Sequence, residues 1–343
     1  MKLSTAVVAL GLAGFTVAAQ AQQITGAGAT FPAPVYSKWG EAAKKAIGLE
    51  LNYQAIGSGG GQNQILNRTV DFGASDAPMA PAKLESGHLL QFPTVMGAVV
   101  VIVNLPNVKP NEIKLTGEML ADVFAGKIKK WNDPKLVEMN HDVKLPNMAI
   151  APVHRADGSG TTYVFTSYLS AVSAGWKSDV GASTSVNWPA GAGAKGNDGV
   201  AATVHNTRGG IGYVEYAYAK QNHLTTTELR NKSGHFVQPT MPSFQAAAGS
   251  ADWDHAPHYA VNLIDQMGES TWPIMSATFI ELPKDPKDPA RSVNVMKFFD
   301  WAYKNGDQTA IGLDYVPLPE RVKDSVRKAW HEQVKTPDGK PVM

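Results

Sequence analysis

Apolar residues recur along this chain with two alternating periods. Leu49, Leu51 and Tyr53 alternate with polar neighbours, which is the period of a strand with one buried face. Just before them, apolar residues between positions 35 and 46 follow the spacing of one helix face, and Gly48 is placed to end that helix. Residues 91–103 form a long β-branched run, which is typical of a strand covered on both faces.

Strand and helix patterns continue to alternate along the rest of the chain. Strand-like segments lie at residues 24–31, 49–54, 70–75, 91–103, 209–214 and 272–282, and helical spacing occurs at residues 35–46, 116–124, 164–172, 295–302 and 322–330. This alternation predicts an α/β protein with largely parallel sheets. Residues 221–254 are the least periodic part, and we expect them to form a surface excursion.

Three glycine-rich turns each lead from a strand-like segment towards a helical one. They lie at residues 26–30, 57–61 and 158–161, and a further glycine-rich loop spans residues 188–199. In open α/β sheets, ligands bind where such turns follow the carboxyl ends of strands. The first turn lacks the third glycine of a dinucleotide fingerprint, and the sequence contains no Gly-Lys-Ser/Thr of a P-loop.

The turn at residues 154–161 carries the strongest local chemistry. Arg155 offers a planar fork of donors for two oxygens of an anion, and Asp157 is close enough along the chain to orient that fork. Ser159, Gly160 and Thr161 open the helical pattern that follows, where unpaired amides attract negative charge. An ordinary capped surface turn with an Arg–Asp pair is the alternative for this segment taken alone.

Asp76 changes the kind of anion that such a site would accept. It follows a strand-like segment among small residues, where its default role is to cap a turn. Thr30, Ser58, Ser159 and Thr161 supply neutral donors, and a carboxylate facing the same anion is repulsive unless the anion carries a proton. Phosphate carries one near neutral pH and sulfate does not. Asp76 would therefore turn an oxyanion site into a phosphate site.

The first residues of the chain have the pattern of a signal peptide. Lys2 precedes an apolar run from residue 6 to residue 19, and Ala19-Gln20-Ala21 fits the small-residue cleavage rule. We therefore expect residues 1–21 to be removed and the protein to be periplasmic. The chain has no cysteine, which excludes disulfides and a lipid-modified N-terminal cysteine. No other apolar run is long enough to span a membrane.

Charge is nearly balanced in this chain of 343 residues. Lysine and arginine number 31 and aspartate and glutamate number 30, so no global field favours nucleic acid or an anionic membrane. Anion binding must therefore be local. The length suggests about two domains.

Several long motifs together resemble the periplasmic phosphate-binding proteins of phosphate ABC importers. The motifs lie at residues 26–36, 57–58, 70–78, 155–161 and 212–216, and the similarity runs over essentially the whole chain after residue 21. The resemblance implies a type II periplasmic binding protein with two α/β lobes, each a mostly parallel sheet flanked by helices, and the ligand in the cleft between them. It implies a discontinuous first lobe, residues 22–103 plus 274–343, and a second lobe, residues 104–273.

The resemblance also implies a ligand set and a role. The expected phosphate ligands are Thr30, Phe31 and Gly160 (the last two through backbone amides), Ser58, Asp76, Arg155, Ser159 and Thr161, with Asp157 orienting Arg155. We expect a monomeric, non-enzymatic receptor without cofactor or metal that binds inorganic phosphate with high affinity and docks transiently on membrane permease subunits. Asp76 is expected to accept the phosphate proton and to select against sulfate.

Other functions remain open at this point. An exported phosphatase or esterase could hold product phosphate in the same donors, but no Gly-x-Ser-x-Gly elbow surrounds a candidate serine. His255 and His258 form a His-x-x-His pair without further ligands at recognisable spacing, so we expect a surface pair. Within the binding-protein fold, sulfate, arsenate or a phosphonate are the other ligands. His154 is expected to be exposed or to support the site from behind.

Overall fold

The computed structural model describes residues 22–343; the predicted signal peptide, residues 1–21, lies outside the described residues. The strands are β1 (Gln22–Gly28), β2 (Leu49–Ala55), β3 (Phe72–Ser75), β4 (Leu89–Val103), β5 (Lys114–Leu115), β6 (Ala151–Arg155), β7 (Ala192–Ala194), β8 (Gly210–Glu215), β9 (Thr225–Thr226), β10 (Glu228–Arg230), β11 (Phe236–Val237) and β12 (Met275–Pro283).

The helices lie mostly between these strands along the chain. They are α1 (Ala33–Ile47), α2 (Ser58–Leu66), α3 (Pro81–Ser86), α4 (Gly117–Phe124), α5 (Pro134–Met139), α6 (Gly160–Val172), α7 (Ala174–Asp179), α8 (Gly196–Asn206), α9 (Tyr216–Gln221), α10 (Met241–Ala248), α11 (Pro289–Asn305), α12 (Asp307–Gly312) and α13 (Glu320–Gln333). In the part of the chain from residue 22 onward, no helix combines the length and apolarity that crossing a membrane requires.

Strand β4 connects the two halves of the main sheet. All 15 of its residues are buried, as the uninterrupted β-branched run predicts. Up to Ala98 it pairs with β12, and from Val99 onward it pairs with β8. The strand order is β2-β1-β3-β12-β4-β8-β6-β7, with β9 also paired to β4. A single long strand therefore runs through both halves.

The parallel strand pairs lie towards the two ends of this sheet. β1 is parallel to β2 and β3, and β6 is parallel to β7 and β8. In the middle, β12 runs antiparallel to β3 and β4, and β4 runs antiparallel to β8. Because the carboxyl ends of parallel strands face one way, the turns that follow β1, β2, β3 and β6 are brought to the middle of the molecule.

Aromatic packing places the C-terminal helices on the end of the sheet that contains β1. Phe299 of α11 makes edge contacts with Tyr36, Phe72 and Phe92, with ring centroids 5.9, 5.3 and 5.8 Å apart. Trp330 of α13 contacts Phe92 in the same manner at 5.2 Å. Each such pair contributes about 0.5–1.5 kcal/mol beyond area burial. The C-terminal helices α11 and α13 therefore share one aromatic core with residues from the first hundred positions of the chain.

The expectation that residues 221–254 are a surface excursion is wrong. This segment contains β9, β10, β11 and α10, and β10 joins β5 and β11 in a small three-stranded sheet. Leu229 and Phe244 are fully buried. These elements are two to eight residues long. Segments of that length hold too few repeats for their periodicity to be recognised.

Candidate functional site

The predicted ligand residues meet at the centre of the molecule. Thr30 and Phe31 follow β1, Ser58 opens α2 after β2, Asp76 follows β3, Arg155 ends β6, and Ser159 caps α6. Each of these side chains is at most 4 % exposed. Segments that are far apart in sequence therefore converge on one buried point, as the rule for strand carboxyl ends predicts.

Arg155 is held from one side by Asp157. Its Nε donates to Asp157 Oδ1 at 2.7 Å and its Nη2 donates to Asp157 Oδ2 at 2.5 Å. Burial of Asp157 opposes its charge, but the hydrogen bonds and charge of Arg155 hold its pKa below the ordinary value. The Arg155 side chain is 1 % exposed, so the alternative of an ordinary surface turn is wrong. The remaining guanidinium donors are fixed in direction, and Nη1 reaches Thr161 Oγ1 at 3.2 Å.

Asn197, which the sequence analysis did not identify, ties two site hydroxyls together. Its Nδ2 donates to Thr30 Oγ1 at 2.8 Å and to Thr161 Oγ1 at 3.2 Å. Its Oδ1 accepts from the Glu215 amide at 3.0 Å. Both threonine oxygens thus act as acceptors here, which leaves their single hydroxyl protons to donate elsewhere. The available signal was the glycine-rich loop that leads into α8, which is a fourth turn of the type noted above.

The N-terminus of α6 meets Ser58 from α2. Ser58 Oγ accepts from the Gly160 amide at 3.0 Å and from the Asp76 amide at 3.3 Å, so its own proton is also left to donate. The Gly160 amide, expected to bind the anion, is thus paired with Ser58 in this structure. The amides of Phe31 and Thr161 have no acceptor among residues 22–343.

Glycine is required where these segments approach one another. A Cβ on Gly160 would lie 2.5 Å from Ser58 Oγ and 2.6 Å from Asp76 Oδ2. Gly57 has φ +92°, and a Cβ there would lie 2.3 Å from Asp157 Oδ2. Nearby, the Gly59 amide donates to the Gly158 carbonyl at 2.9 Å. A side chain at Gly160 or at Gly57 would therefore hold the turns before α2 and α6 apart.

Asp76 supplies the one carboxylate of the site that is not paired with a cation. Its Oδ1 accepts from Thr278 Oγ1 at 2.7 Å, and its buried Oδ2 has no hydrogen-bond partner among residues 22–343. Burial raises the pKa of Asp76 from 3.8 to about 7, although Thr278 and the charge of Arg155 oppose the increase. The site therefore combines many donors with one strong acceptor oxygen.

Histidines take no part in this arrangement. The half-buried His154 ring stacks on Trp188 at 4.7 Å, and its Nδ1 lies 3.1 Å from the Arg155 carbonyl. His255 is 84 % exposed on its side chain and pairs with Asp252. Within residues 22–343 no group of three or more histidine, cysteine, aspartate or glutamate side chains is placed to hold a metal ion. The described site offers hydrogen-bond donors, the Arg155 guanidinium and the Asp76 carboxylate.

Comparisons with known proteins converge on one type of protein. A family model described as a PBP superfamily domain matches residues 13–305. The chain is 52 % identical over 326 residues to the phosphate-binding protein PstS of Pasteurella multocida, and the alignment covers 95 % of each chain. It is 51 % identical over 334 residues to PstS of Haemophilus influenzae, covering 97 % of this chain and 99 % of that protein.

A solved structure supports the fold. The high-affinity periplasmic phosphate-binding protein PfluDING, bound with phosphate, superposes with a TM-score of 0.72 at 23 % identity, covering 90 % of this chain and 94 % of that one. Likeness at this identity concerns the fold alone. The predicted fold class, a two-lobed α/β protein of the type II binding-protein kind, is confirmed.

Proposed function

The chain belongs to the phosphate-binding proteins of the PBP superfamily, and we propose that it binds inorganic phosphate with high affinity and delivers it to an ABC importer. Sequence identity above 50 % over nearly the whole of both chains supports this function. The proposed ligands are the eight residues named in the sequence analysis, with Asn197 and Asp157 holding them in place.

The observation that carries the proposal is the composition of the buried cluster. Thr30, Ser58 and Thr161 each retain a hydroxyl proton, and Arg155 adds the fixed positive charge. Against these donors stands the unpaired Oδ2 of Asp76. Such a set is complementary to a tetrahedral oxyanion that accepts on most oxygens and donates from one, which is hydrogen phosphate.

Discrimination against sulfate follows from the same acceptor. Sulfate carries no proton near neutral pH, so above the Asp76 pKa of about 7 one of its oxygens would face an ionised carboxylate with no hydrogen between them. A buried polar group left unpaired costs about 1–3 kcal/mol, and more when it is charged. Since 1.4 kcal/mol corresponds to tenfold in affinity, a cost of about 1–3 kcal/mol corresponds to roughly 5- to 150-fold discrimination by this one residue. Arsenate, which is also protonated, is not rejected by this means.

The proposed lobes meet along the site. We assign residues 22–103 plus 274–343 to the first lobe and residues 104–273 to the second. The assignment is supported by the change of β4 partner between Ala98 and Val99 and by the packing of α11 and α13 near β1. Thr30, Ser58 and Asp76 then belong to the first lobe, and Arg155 and Thr161 belong to the second. Bending of the crossover strands β4 and β12 would open the cleft.

We propose a receptor rather than an enzyme. In a serine phosphatase or esterase, a base must take the nucleophile's proton, yet the groups that contact Ser58 Oγ are backbone amides. Ser159 Oγ accepts from the Thr162 amide at 3.0 Å, as a helix cap does. The relatives are named as binding proteins. We further propose that the protein is a periplasmic monomer that needs no cofactor.

Titration calorimetry with phosphate and, separately, with sulfate tests this function. We expect one phosphate per chain and no comparable heat from sulfate. In parallel, the protein is incubated with p-nitrophenyl phosphate without added metal, and no turnover is expected. Tight binding of sulfate without binding of phosphate would contradict the phosphate assignment, and steady release of nitrophenol would favour the phosphatase.

A further inference from the structure

The turn that carries Thr30 and Phe31 is held by one tyrosine from across the cleft and by a second tyrosine from its own lobe. Tyr218 of α9, in the second lobe, donates its hydroxyl to the Thr30 carbonyl at 2.6 Å. From the first lobe, Tyr315 donates to the next carbonyl, that of Phe31, also at 2.6 Å. Two phenols thus hold two successive peptide groups of one turn. Neither tyrosine belongs to the ligand set proposed above.

The bond from Tyr218, together with the turn bond that the same Thr30 carbonyl accepts from the Ala33 amide at 3.2 Å, sets the direction of one proposed phosphate donor. The carbonyl of Thr30 and the amide of Phe31 belong to the same peptide unit, which is planar and trans, so the N–H points opposite to the C=O. Holding the carbonyl towards Tyr218 therefore directs the Phe31 N–H away from Tyr218. That N–H has no acceptor among residues 22–343, which leaves it free for a ligand.

Tyr218 is suited to this task because it can only donate to a carbonyl. It is half-buried, and burial raises the pKa of its phenol above the ordinary range, so the hydroxyl keeps its proton at any physiological pH. Its neighbour Tyr216, on the same short helix, packs against Phe244 with ring centroids 5.1 Å apart and has no hydrogen-bond partner for its hydroxyl among the described residues. The two tyrosines therefore differ in the contact made by the hydroxyl.

We propose that Tyr218 is a positioning residue that couples closure of the lobes to phosphate binding: its bond to Thr30 forms only when α9 lies against the first lobe, and it aims the Phe31 amide at the anion. This inference rests on the proposed function. Closure and ligand binding then strengthen each other, because each favours the same orientation of one peptide group. The bond contributes to retention of phosphate without touching it.

The test compares Tyr218→Phe with Tyr216→Phe, which makes the same chemical change two residues earlier on the same helix. Phosphate affinity is measured by calorimetry, and phosphate release is measured by stopped-flow tryptophan fluorescence. For Tyr218→Phe we expect binding weaker by about 2- to 12-fold, the usual net worth of one hydrogen bond, with release faster by a similar factor. The preference for phosphate over sulfate should not change, since Asp76 is untouched. Tyr216→Phe should behave as wild type.

Two results would overturn the proposal. One is affinity and release in Tyr218→Phe equal to those of wild type and Tyr216→Phe. The other is a loss of affinity matched by an equal loss of stability in the ligand-free protein, because the phenol would then serve the fold and not closure. Failure of the proposed function is distinguishable from both, because in that case wild-type protein would bind no phosphate.

Discussion

At the scale of single residues, we propose that Asp76 decides which anion the site holds. We predict that Asp76→Asn lowers the ratio of phosphate to sulfate affinity by roughly fivefold or more, because a neutral amide no longer repels an unprotonated oxygen and can donate to it. Competition calorimetry with both anions at pH 8 measures the ratio. Asp338→Asn, which changes a carboxylate that the solvent screens, is the control. An unchanged ratio in Asp76→Asn would mean that sulfate is rejected by other contacts.

Thr278 should support this role from behind. Its hydroxyl donates a hydrogen bond to Asp76 Oδ1 and thereby stabilises the ionised form of the Asp76 carboxyl. Thr278→Val keeps the shape but removes that donor, so the pKa of Asp76 should rise and phosphate selectivity at pH 7 should fall by several-fold, with recovery at higher pH. Thr227→Val is the matched control, since that buried hydroxyl has no partner in residues 22–343. Selectivity that is lost equally at all pH values would contradict this account.

Buried carboxyls should also make the ligand-free protein less stable at alkaline pH. Burial raises the pKa of Glu281 from 4.5 to about 8 and that of Asp76 from 3.8 to about 7. Groups whose pKa is raised on folding stabilise the protein fully below their unfolded pKa and lose that contribution as pH rises through the folded pKa. The melting temperature should therefore fall between about pH 4 and pH 8 and level off above, and the fall should be less steep in Glu281→Gln. A flat profile in wild type would contradict the burial argument.

At the scale of elements, the N-terminus of α6 must approach α2 without a side chain between them. We predict that Gly160→Ala lowers phosphate affinity by roughly 5- to 150-fold, because its Cβ would overlap Ser58 Oγ and Asp76 Oδ2 at 2.5 and 2.6 Å. Calorimetry measures the loss, and small-angle scattering should show that phosphate no longer compacts the variant. Gly175→Ala, where the nearest atom lies 3.7 Å away, is the control. Wild-type affinity in Gly160→Ala would refute the close approach.

Most elements with a clear apolar pattern were predictable from the sequence, and strands of two or three residues were not. The fully buried β4 and the helices α1, α6 and α13 follow from periodicity over nine or more residues. The strands and helix within residues 221–254 are too short for that signal. Asn197 was missed because its role arises from three partners, Thr30, Thr161 and Glu215, that meet it only in the folded chain. The glycine-rich loop before Asn197 was recognisable in the sequence, but its hydrogen bonds were not predictable.

At the scale of the whole molecule, the site depends on two strands that run in opposite directions through the sheet. β4 and β12 lie side by side, and on either side of them the parallel strands end at the cleft. The sequence predicted parallel sheets but not this antiparallel centre, since strand direction depends on pairing between segments some 180 residues apart. The resemblance to the family supplied the expectation that residues 274–343 complete the first lobe. The eight residues predicted as ligands nevertheless lie together, because each lies at or shortly after the carboxyl end of a strand.

The most direct test of the account is a crystal structure of the protein grown with phosphate. We predict one phosphate between Arg155 and Asp76, with one oxygen about 2.5–2.7 Å from Asp76 Oδ2, the range of a charge-assisted O–H···O bond. The other oxygens should contact Arg155, the hydroxyls of Thr30, Ser58 and Thr161, and the Phe31 amide. Phosphate bound elsewhere, or bound here with no oxygen within hydrogen-bond distance of Asp76, would contradict the central claim.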